Sequence, residues 1–357
     1  MADFERPPHY SRKATRSMPR VALMATRATE LALEDAGLLG DPLLDSGRVG
    51  VAYGSSAGGT DATAEFASML VDHTTGDINA TTYIRMMAHT APVNIGVFFG
   101  LRGRVYTTSS ACTSGSQGIG YAYEAIRSGA QTAMVAGGAD ALCATEAAVF
   151  DALYATSVRN DEPGRTPRPF DRDRDGLVIG EGAGTLILED LEHARARGAP
   201  IHAEVVGYGT NSDGRHVTQP EADTMRVAME LALDSAALES EAVGYVSAHG
   251  TATDRGDVAE ARATREAFGR PVPTSAFKSF TGHTLGACGV LEAWVAIRSM
   301  NEGWFHGTMN LDSVDTECEG LDHISGADGR ALECEYVMSN NFAFGGINTS
   351  LLFRRWH

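Results

Sequence analysis

Apolar residues recur along this chain with two different spacings, and the places where one spacing gives way to the other outline alternating strands and helices. After a basic start, residues 21–36 carry a helical pattern closed by Gly37. Arg48 to Tyr53 reads as a short strand running into the Gly/Ser loop 54–60, and Ala62 to Val71 as a helix. Asn94 to Gly100 leads into a β-type stretch at Arg104 to Thr108. A small-residue elbow follows, and then a helix with Ile119, Ala122 and Ile126 on one face. Ala130 to Ala136 predicts a buried strand ending in Gly-Gly-Ala-Asp, and Leu177 to Leu188 a strand, loop and strand. Downstream the pattern predicts a strand at 201–209, a helix at 224–237, a strand at 243–248 and a helix at 257–268. A strand at 272–276 then meets the Lys278–Gly289 elbow and a helix to Ser299, and strands at 336–339 and 349–353 close the chain. Strands alternating with helices imply an α/β fold with a largely buried sheet.

Residues 104–127 and 272–299 echo one another, each a strand, a Gly- and Ser/Thr-rich elbow and a helix. With no Pro- or Ser-rich linker between them, the expectation is one unit of two related halves, residues 1–200 and 201–357.

The first elbow, Thr107-Thr-Ser-Ser-Ala-Cys112-Thr-Ser-Gly115, holds a cysteine at the start of a helix. The positive end of the helix dipole and the unpaired N–H groups there both favour a thiolate, the reactive form. A buried structural cysteine is the alternative reading. Two histidines stand where a strand meets a Gly-containing loop, the usual place for catalytic side chains in α/β folds. His249 opens His-Gly-Thr-Ala-Thr-Asp, and His283 lies in Lys278-Ser-Phe-Thr-Gly-His-Thr-Leu-Gly-Ala-Cys-Gly289. Neither has a ligand partner three or four positions on, so no metal site is expected. A rival motif is Gly54-Ser-Ser56-Ala-Gly58, which matches the G-x-S-x-G elbow and would make Ser56 the nucleophile of a serine hydrolase. Gly180-Glu-Gly-Ala-Gly184 lacks the dinucleotide spacing, and there is no phosphate-binding P-loop.

Composition narrows the partners. A net charge of −17 argues against nucleic acid and anionic membrane. Arg12, Lys13, Arg16 and Arg20 make a local basic patch against that background. Five cysteines with no CxxC pair speak against a disulfide framework or structural zinc. No signal-like or membrane-spanning stretch is apparent, which makes the cytoplasm the expected compartment.

Taken together, these motifs resemble the β-ketoacyl-acyl-carrier-protein synthases of the thiolase superfamily, in the branch with a Cys–His–His triad. The resemblance runs from about residue 9 to the C-terminus. It rests on the Cys112 elbow, Val135-Ala-Gly-Gly-Ala139, Arg168-Pro-Phe-Asp171, Arg174-Asp-Gly176 and Gly180-Glu-Gly-Ala-Gly184. It continues through Ala248-His-Gly-Thr-Ala-Thr253, Gly256-Asp257, the Lys278–His283 run, Leu285-Gly-Ala287 and Asn341-Phe-Ala-Phe-Gly-Gly346. It implies a five-layer αβαβα fold of two pseudo-equivalent halves and an acyltransferase that condenses malonyl-acyl-carrier protein with an acyl group held on Cys112.

His249 and His283 would steady the enolate formed on decarboxylation, and Lys278, paired with Glu292, would hold the site's electrostatics. Asp257 and Glu260 would support them, Thr251 and Thr253 would bind the pantetheine arm, and Phe344 would gate the acyl chain. The backbone N–H groups of Cys112 and Phe344 would form the oxyanion hole. The resemblance further implies no cofactor beyond the carrier's phosphopantetheine, docking of an acidic acyl carrier protein at Arg12, Lys13, Arg16 and Arg20, and a homodimer, with a heterodimer as the alternative.

Two departures stand out. Family members open with a strand, taken here as central to the N-terminal sheet, some tens of residues before the point matching Tyr10. That strand is absent, which predicts unpaired ladder groups. Ala343 beside the gate and Ala252-Thr-Asp254 differ from the usual Gly and Ser/Gly-Thr-Pro, which suggests a side branch serving a specialised lipid or polyene pathway. A non-catalytic partner subunit of chain-length-factor type, or a truncated inactive form, is the alternative function. A thiolase is the near relative, with Cys288 as its only candidate second cysteine, read here as helix packing.

Overall fold

Six consecutive buried residues, Val49–Gly54 (β1), form the interior of a four-stranded sheet. A strand covered on both faces reads as an unbroken apolar run, as this one does. The computed structural model of the protein describes residues 3–76 and 78–357. β1 runs parallel to Val105–Thr107 (β2) on one side and to Ala133–Asp140 (β3) on the other, and Gly182–Glu189 (β4) runs antiparallel along β3. Helix Arg20–Asp35 contributes Val21 and Ala25, and helix Thr90–Phe99 contributes Ala91 and Ile95, to the apolar cluster around Val51, Tyr53 and Val135.

A second sheet has six strands. They are Ala203–Ser212 (β5), Val243–Ser247 (β6), Pro273–Ser275 (β7), Asp322–His323 (β9), Tyr336–Ala343 (β11) and Ile347–Arg355 (β12), in the order β5-β12-β11-β6-β7-β9. Trp304–Phe305 (β8) and Arg330–Ala331 (β10) pair separately. Helices Ala222–Ala236 and Asp254–Phe268 supply Met225, Met229, Ala263 and Phe268 to a core with Val243, Val246 and Met338.

The backbone falls into two compact units. The first holds the residues up to Cys143, Glu181–Pro200 and Leu285–Val290, and the second holds Ala144–Gly180, Ile201–Thr284 and Leu291–His357. The expected division at residue 200 is therefore crossed twice. Leu285–Val290 belongs to the first unit because Gly286 N–H donates to the buried Asp140 carboxylate (2.6 Å) and Cys288 bonds the Cys112 carbonyl.

The predicted internal echo is real at the level of strand order. β2-β1-β3-β4 and β7-β6-β11-β12 repeat one arrangement, three parallel strands followed by an antiparallel fourth. The second sheet goes on to β5, paired antiparallel along β12. Among the described residues the first sheet has no counterpart, so β4 is an edge strand. This corrects the expectation of a missing central strand, because β1 and β3 pair directly from Val49↔Ala133 to Gly54↔Gly138 and leave no gap.

Several elements outrun their sequence limits. β3 continues through Gly137-Gly138, read as a strand end, because those glycines permit close packing. A Cβ at Gly138 would lie 2.0 Å from the Gly286 carbonyl oxygen. The expected strand before Gly180 contributes only isolated bridges. Residues 90–99 form a helix, and so does Ala144–Ala152, which periodicity did not reveal. Among the described residues no helix is long and apolar enough to cross a membrane.

Candidate active site

In the first unit, β2 ends at a bend built by its own hydroxyls. The Ser114 hydroxyl accepts from Ser110 N–H (3.0 Å) and donates to the Ala111 carbonyl (2.7 Å), while Thr108 and Thr113 donate to the carbonyls of Ser114 and Ser110 (2.8 Å each). Such short polar side chains offer the backbone an alternative to ladder and helix bonds, which is why this run turns. Ala111 sits at φ 51°, a left-handed conformation costing a non-glycine residue roughly 1–2 kcal/mol. Cys112 follows it in a 3₁₀ turn, Ala111–Thr113, that feeds helix Ser114–Arg127. The predicted nucleophile is thus at a strained strand-to-helix elbow, 5% exposed.

Ser56 is not a nucleophile of the hydrolase type. Its hydroxyl donates to Asp140 (2.6 Å), as do its own N–H (3.1 Å) and the Ser55 hydroxyl (2.8 Å). Burial raises the Asp140 carboxyl, and these donors oppose that shift. The Ser56 hydroxyl is committed to this buried carboxylate, so the Gly54–Gly58 loop is a cradle for Asp140.

The second unit brings together His249, His283, Lys278 and Glu292, all buried. His249 lies just past the end of β6, in a loop fastened by two carboxylates one turn apart on helix Asp254–Phe268. Glu260 accepts from His249 N–H (2.7 Å) and Gly250 N–H (2.8 Å), and Asp257 accepts from Thr251 N–H (3.0 Å), Ala252 N–H (3.1 Å) and Phe170 N–H (2.7 Å). Burial pushes Asp257 up to about 6 and Glu260 up to about 8, against the pull of those N–H donors. The two are the loop's anchors. The Thr251 and Thr253 hydroxyls bond each other at 2.9 Å at the partly exposed rim of this loop.

The Lys278 ammonium donates to the His249 carbonyl (2.6 Å), to Glu292 (2.5 Å) and to Nδ1 of His249 (3.0 Å). The Asn341 amide nitrogen donates to the other Glu292 oxygen (2.7 Å) and lies 3.3 Å from the same Nδ1. Both groups facing Nδ1 are donors only, so Nδ1 must accept and the ring proton resides on Nε2. The His283 ring stands edge-on to His249, with centroids 5.3 Å apart, and its backbone is fixed by Val178 O and Gly180 N–H (2.7 and 2.9 Å). Burial, then the Lys278 charge, holds both imidazoles well below the usual histidine range. They are neutral at physiological pH. Neutral N–H donors in a water-poor setting suit stabilisation of negative charge that develops during reaction.

Phe344 occupies the β11–β12 turn, stacked on Phe150 at 5.3 Å between centroids. Gly345 and Gly346 both have left-handed φ, and backbone bonds from Gly345 N–H to Val217 O and from Asp213 N–H to Gly346 O (2.8 Å each) clasp the turn. Sequence reasoning assigned no part to Asn341 or Phe150. The signal for the first was a buried polar run, Ser339-Asn-Asn341, in an otherwise apolar strand. Nothing in the pattern announced the second.

Of the basic patch, Arg12, Lys13 and Arg16 are exposed. Arg20 is engaged with Glu181 (3.0 and 2.6 Å) and the Phe4 carbonyl (2.9 Å).

Comparison with known proteins places this geometry. The N-terminal domain model of β-ketoacyl synthases matches residues 3–194 and the C-terminal domain model residues 202–312. The 3-oxoacyl-[acyl-carrier-protein] synthase 2 of Vibrio cholerae is 40% identical over 363 residues, spanning 99% of this chain and 86% of its own. Among solved structures, a β-ketoacyl synthase from Burkholderia phymatum superimposes with a TM-score of 0.98 at 58% identity, covering 99% of this chain and 86% of that one. The ishigamide ketosynthase/chain length factor gives 0.91 at 33% identity, covering 99% and 87%. The expected thiolase-like α/β fold is thereby established.

Proposed function

This chain belongs to the β-ketoacyl synthase family, and from that premise we propose how its residues divide the reaction. It is a β-ketoacyl-acyl-carrier-protein synthase, an acyltransferase that joins carbon to carbon by decarboxylative Claisen condensation. The Cys112 thiolate attacks the thioester of an acyl-carrier protein, the carrier's thiol leaves, and the acyl group rests on sulfur. Malonyl-carrier protein then loses CO₂. Negative charge collects on its thioester oxygen, where Nε2–H of His249 and the His283 ring donate hydrogen bonds. The carbanion attacks acyl-Cys112, the resulting oxyanion takes the N–H groups of Cys112 and Phe344, and collapse expels the thiolate. Atoms and charge balance without a metal or redox cofactor.

Lys278 and Glu292 act as positioning residues that hold the His249 tautomer, while Thr251 and Thr253 offer hydroxyls to the pantetheine arm. Phe344 gates the acyl chain from a turn whose glycines can move.

The observation that carries this reading is the pair of donors on Nδ1 of His249, which commits its proton to Nε2. The test is intact-mass spectrometry after incubation with acyl-carrier protein. Wild type gains one acyl group and Cys112→Ala gains none, and a folded wild type that never acylates would overturn the assignment.

Arg12, Lys13 and Arg16 form the docking patch for the acidic carrier, with Arg20 held against Glu181 behind them. A homodimer is the assembly that the exposed apolar residues of the first unit favour. Leu70, Val71, Tyr83, Val97 and Val105 are exposed there, and β2 keeps an unpaired outer edge that a second copy can meet across a two-fold axis.

A further inference from the structure

The Cys288 thiol contacts the nucleophile's own residue. Its Sγ lies 3.3 Å from the Cys112 carbonyl oxygen, both residues are buried, and both belong to the first unit. Cys288 opens helix Cys288–Glu302, and the preceding turn is pinned by the bond from Gly286 N–H to Asp140. Leu285, at φ 50°, bends the chain so that this turn faces the Cys112 elbow. A Cβ at Gly115 on that elbow would lie 2.9 Å from the Gly286 carbonyl oxygen. The two segments are therefore packed backbone to backbone. The carbonyl oxygen and the sulfur of one cysteine are joined by a four-bond path, so a thiol touching the first is a rotamer change from the second.

We propose that Cys288 is a resolving cysteine, which converts peroxide damage at Cys112 into a reversible Cys112–Cys288 disulfide. The inference rests on Cys112 being the reactive thiol of the proposed reaction. In the first step the Cys112 thiolate attacks one oxygen of hydrogen peroxide. The O–O bond breaks, sulfur is oxidised by two electrons to the sulfenic acid, and the other oxygen leaves as water after protonation. In the second step the Cys288 sulfur attacks the sulfenic sulfur. Its S–H proton goes to the departing hydroxide, which leaves as a second water, and the S–S bond forms. A thiol held this close outpaces a second peroxide molecule arriving from solution, because the step is unimolecular. Sulfinic acid, which thiols do not reverse, is thereby avoided, and any small dithiol restores both cysteines.

The readout is chemical and independent of turnover. The full chain is treated with graded hydrogen peroxide, quenched with an alkylating agent, digested without reductant and mapped by mass spectrometry. The expected wild-type product is a peptide pair joined through Cys112 and Cys288, two hydrogens lighter than the thiols, which dithiothreitol separates. In Cys288→Ala the pair is absent, and Cys112 gains two oxygens at peroxide concentrations that leave wild type only cross-linked. Wild-type Cys112 reaching sulfinic acid while Cys288 remains alkylatable would overturn the proposal, as would Cys112 pairing with Cys143 or Cys334 instead. Acylation of untreated wild type is scored in parallel. Failure there rejects the catalytic assignment, whereas failure of cross-linking alone rejects only the resolving role.

Discussion

Lys278→Met tests the electrostatic argument at its centre. The ammonium lies 3.0 Å from Nδ1 of His249 and is the charge that, after burial, holds both His249 and His283 below the usual histidine range. A unit charge at about 4 Å in an effective dielectric near 20 is worth about 4 kcal/mol, enough to move a neighbouring titration measurably. Burial, the larger cause, remains in the variant, so only part of the downward shift is recovered. The sign follows directly. With the cation gone both imidazoles charge more readily, they are protonated at a higher pH, and a reaction needing them neutral fails earlier as pH falls. Malonyl-carrier-protein decarboxylation, followed by mass spectrometry from about pH 5 to 8, should show its acid limb displaced upward.

The same substitution strands the Glu292 carboxylate with Asn341 as its remaining donor in the cluster described, and breaking a buried pair typically costs about 3–5 kcal/mol. Lys278→Met/Glu292→Leu removes the stranded group, so it should regain most of the stability in urea denaturation while keeping the shifted limb. An unshifted acid limb in a folded variant would refute the claim that Lys278 sets the histidine protonation state.

Four further outcomes follow from the same coordinates. His249→Ala and His283→Ala should each slow decarboxylation by about 10²–10³, the usual cost of losing one donor to developing charge, while Cys112 in each is still acylated; loss of acylation would refute the division of roles. Glu260→Gln should lose about 1–3 kcal/mol, because the amide NH₂ that replaces one carboxylate oxygen would face a backbone N–H from which it cannot accept. Since burial raises Glu260 to about 8, its contribution in wild type is present at low pH and lost as pH rises from about 4 to 8. The variant should lack that slope when urea curves at pH 5 and pH 8 are compared. Gly346→Ala should destabilise more than Gly345→Ala. Both have left-handed φ, but only at Gly346 would the new Cβ meet Asp213, at 2.7 Å, and equal losses would show that the clasp does not constrain the turn. Amide exchange should be faster along β4, paired on one side, than along β12, paired on both, and equal protection would contradict the edge assignment.

Local chemistry showed most of the element types and the candidate reactive groups, though it missed the helix Ala144–Ala152. The Ser/Thr-rich bend around Cys112 appears in the structure because those hydroxyls bond the neighbouring backbone wherever the chain goes, and His249 stands just past the end of β6 as expected, whereas His283 lies beyond β7 and the short helix Lys278–Thr281 rather than at a strand end. The repeat of strand, elbow and helix was legible for the same reason, and the two sheets share one strand order. What the chain could not disclose were relations set by distant partners. Ser56 matched a nucleophile motif, yet its hydroxyl donates to Asp140, far along the chain. β3 ran past Gly137 because another backbone needed the space of a side chain. Asn341 looked like part of a motif, but its amide position beside Nδ1 of His249 decides which nitrogen carries the proton. Periodicity and composition report what a residue can do with its neighbours in sequence. Which acid meets which donor, and which charge stays buried, depends on contacts across tens to hundreds of residues, and only the folded chain makes them.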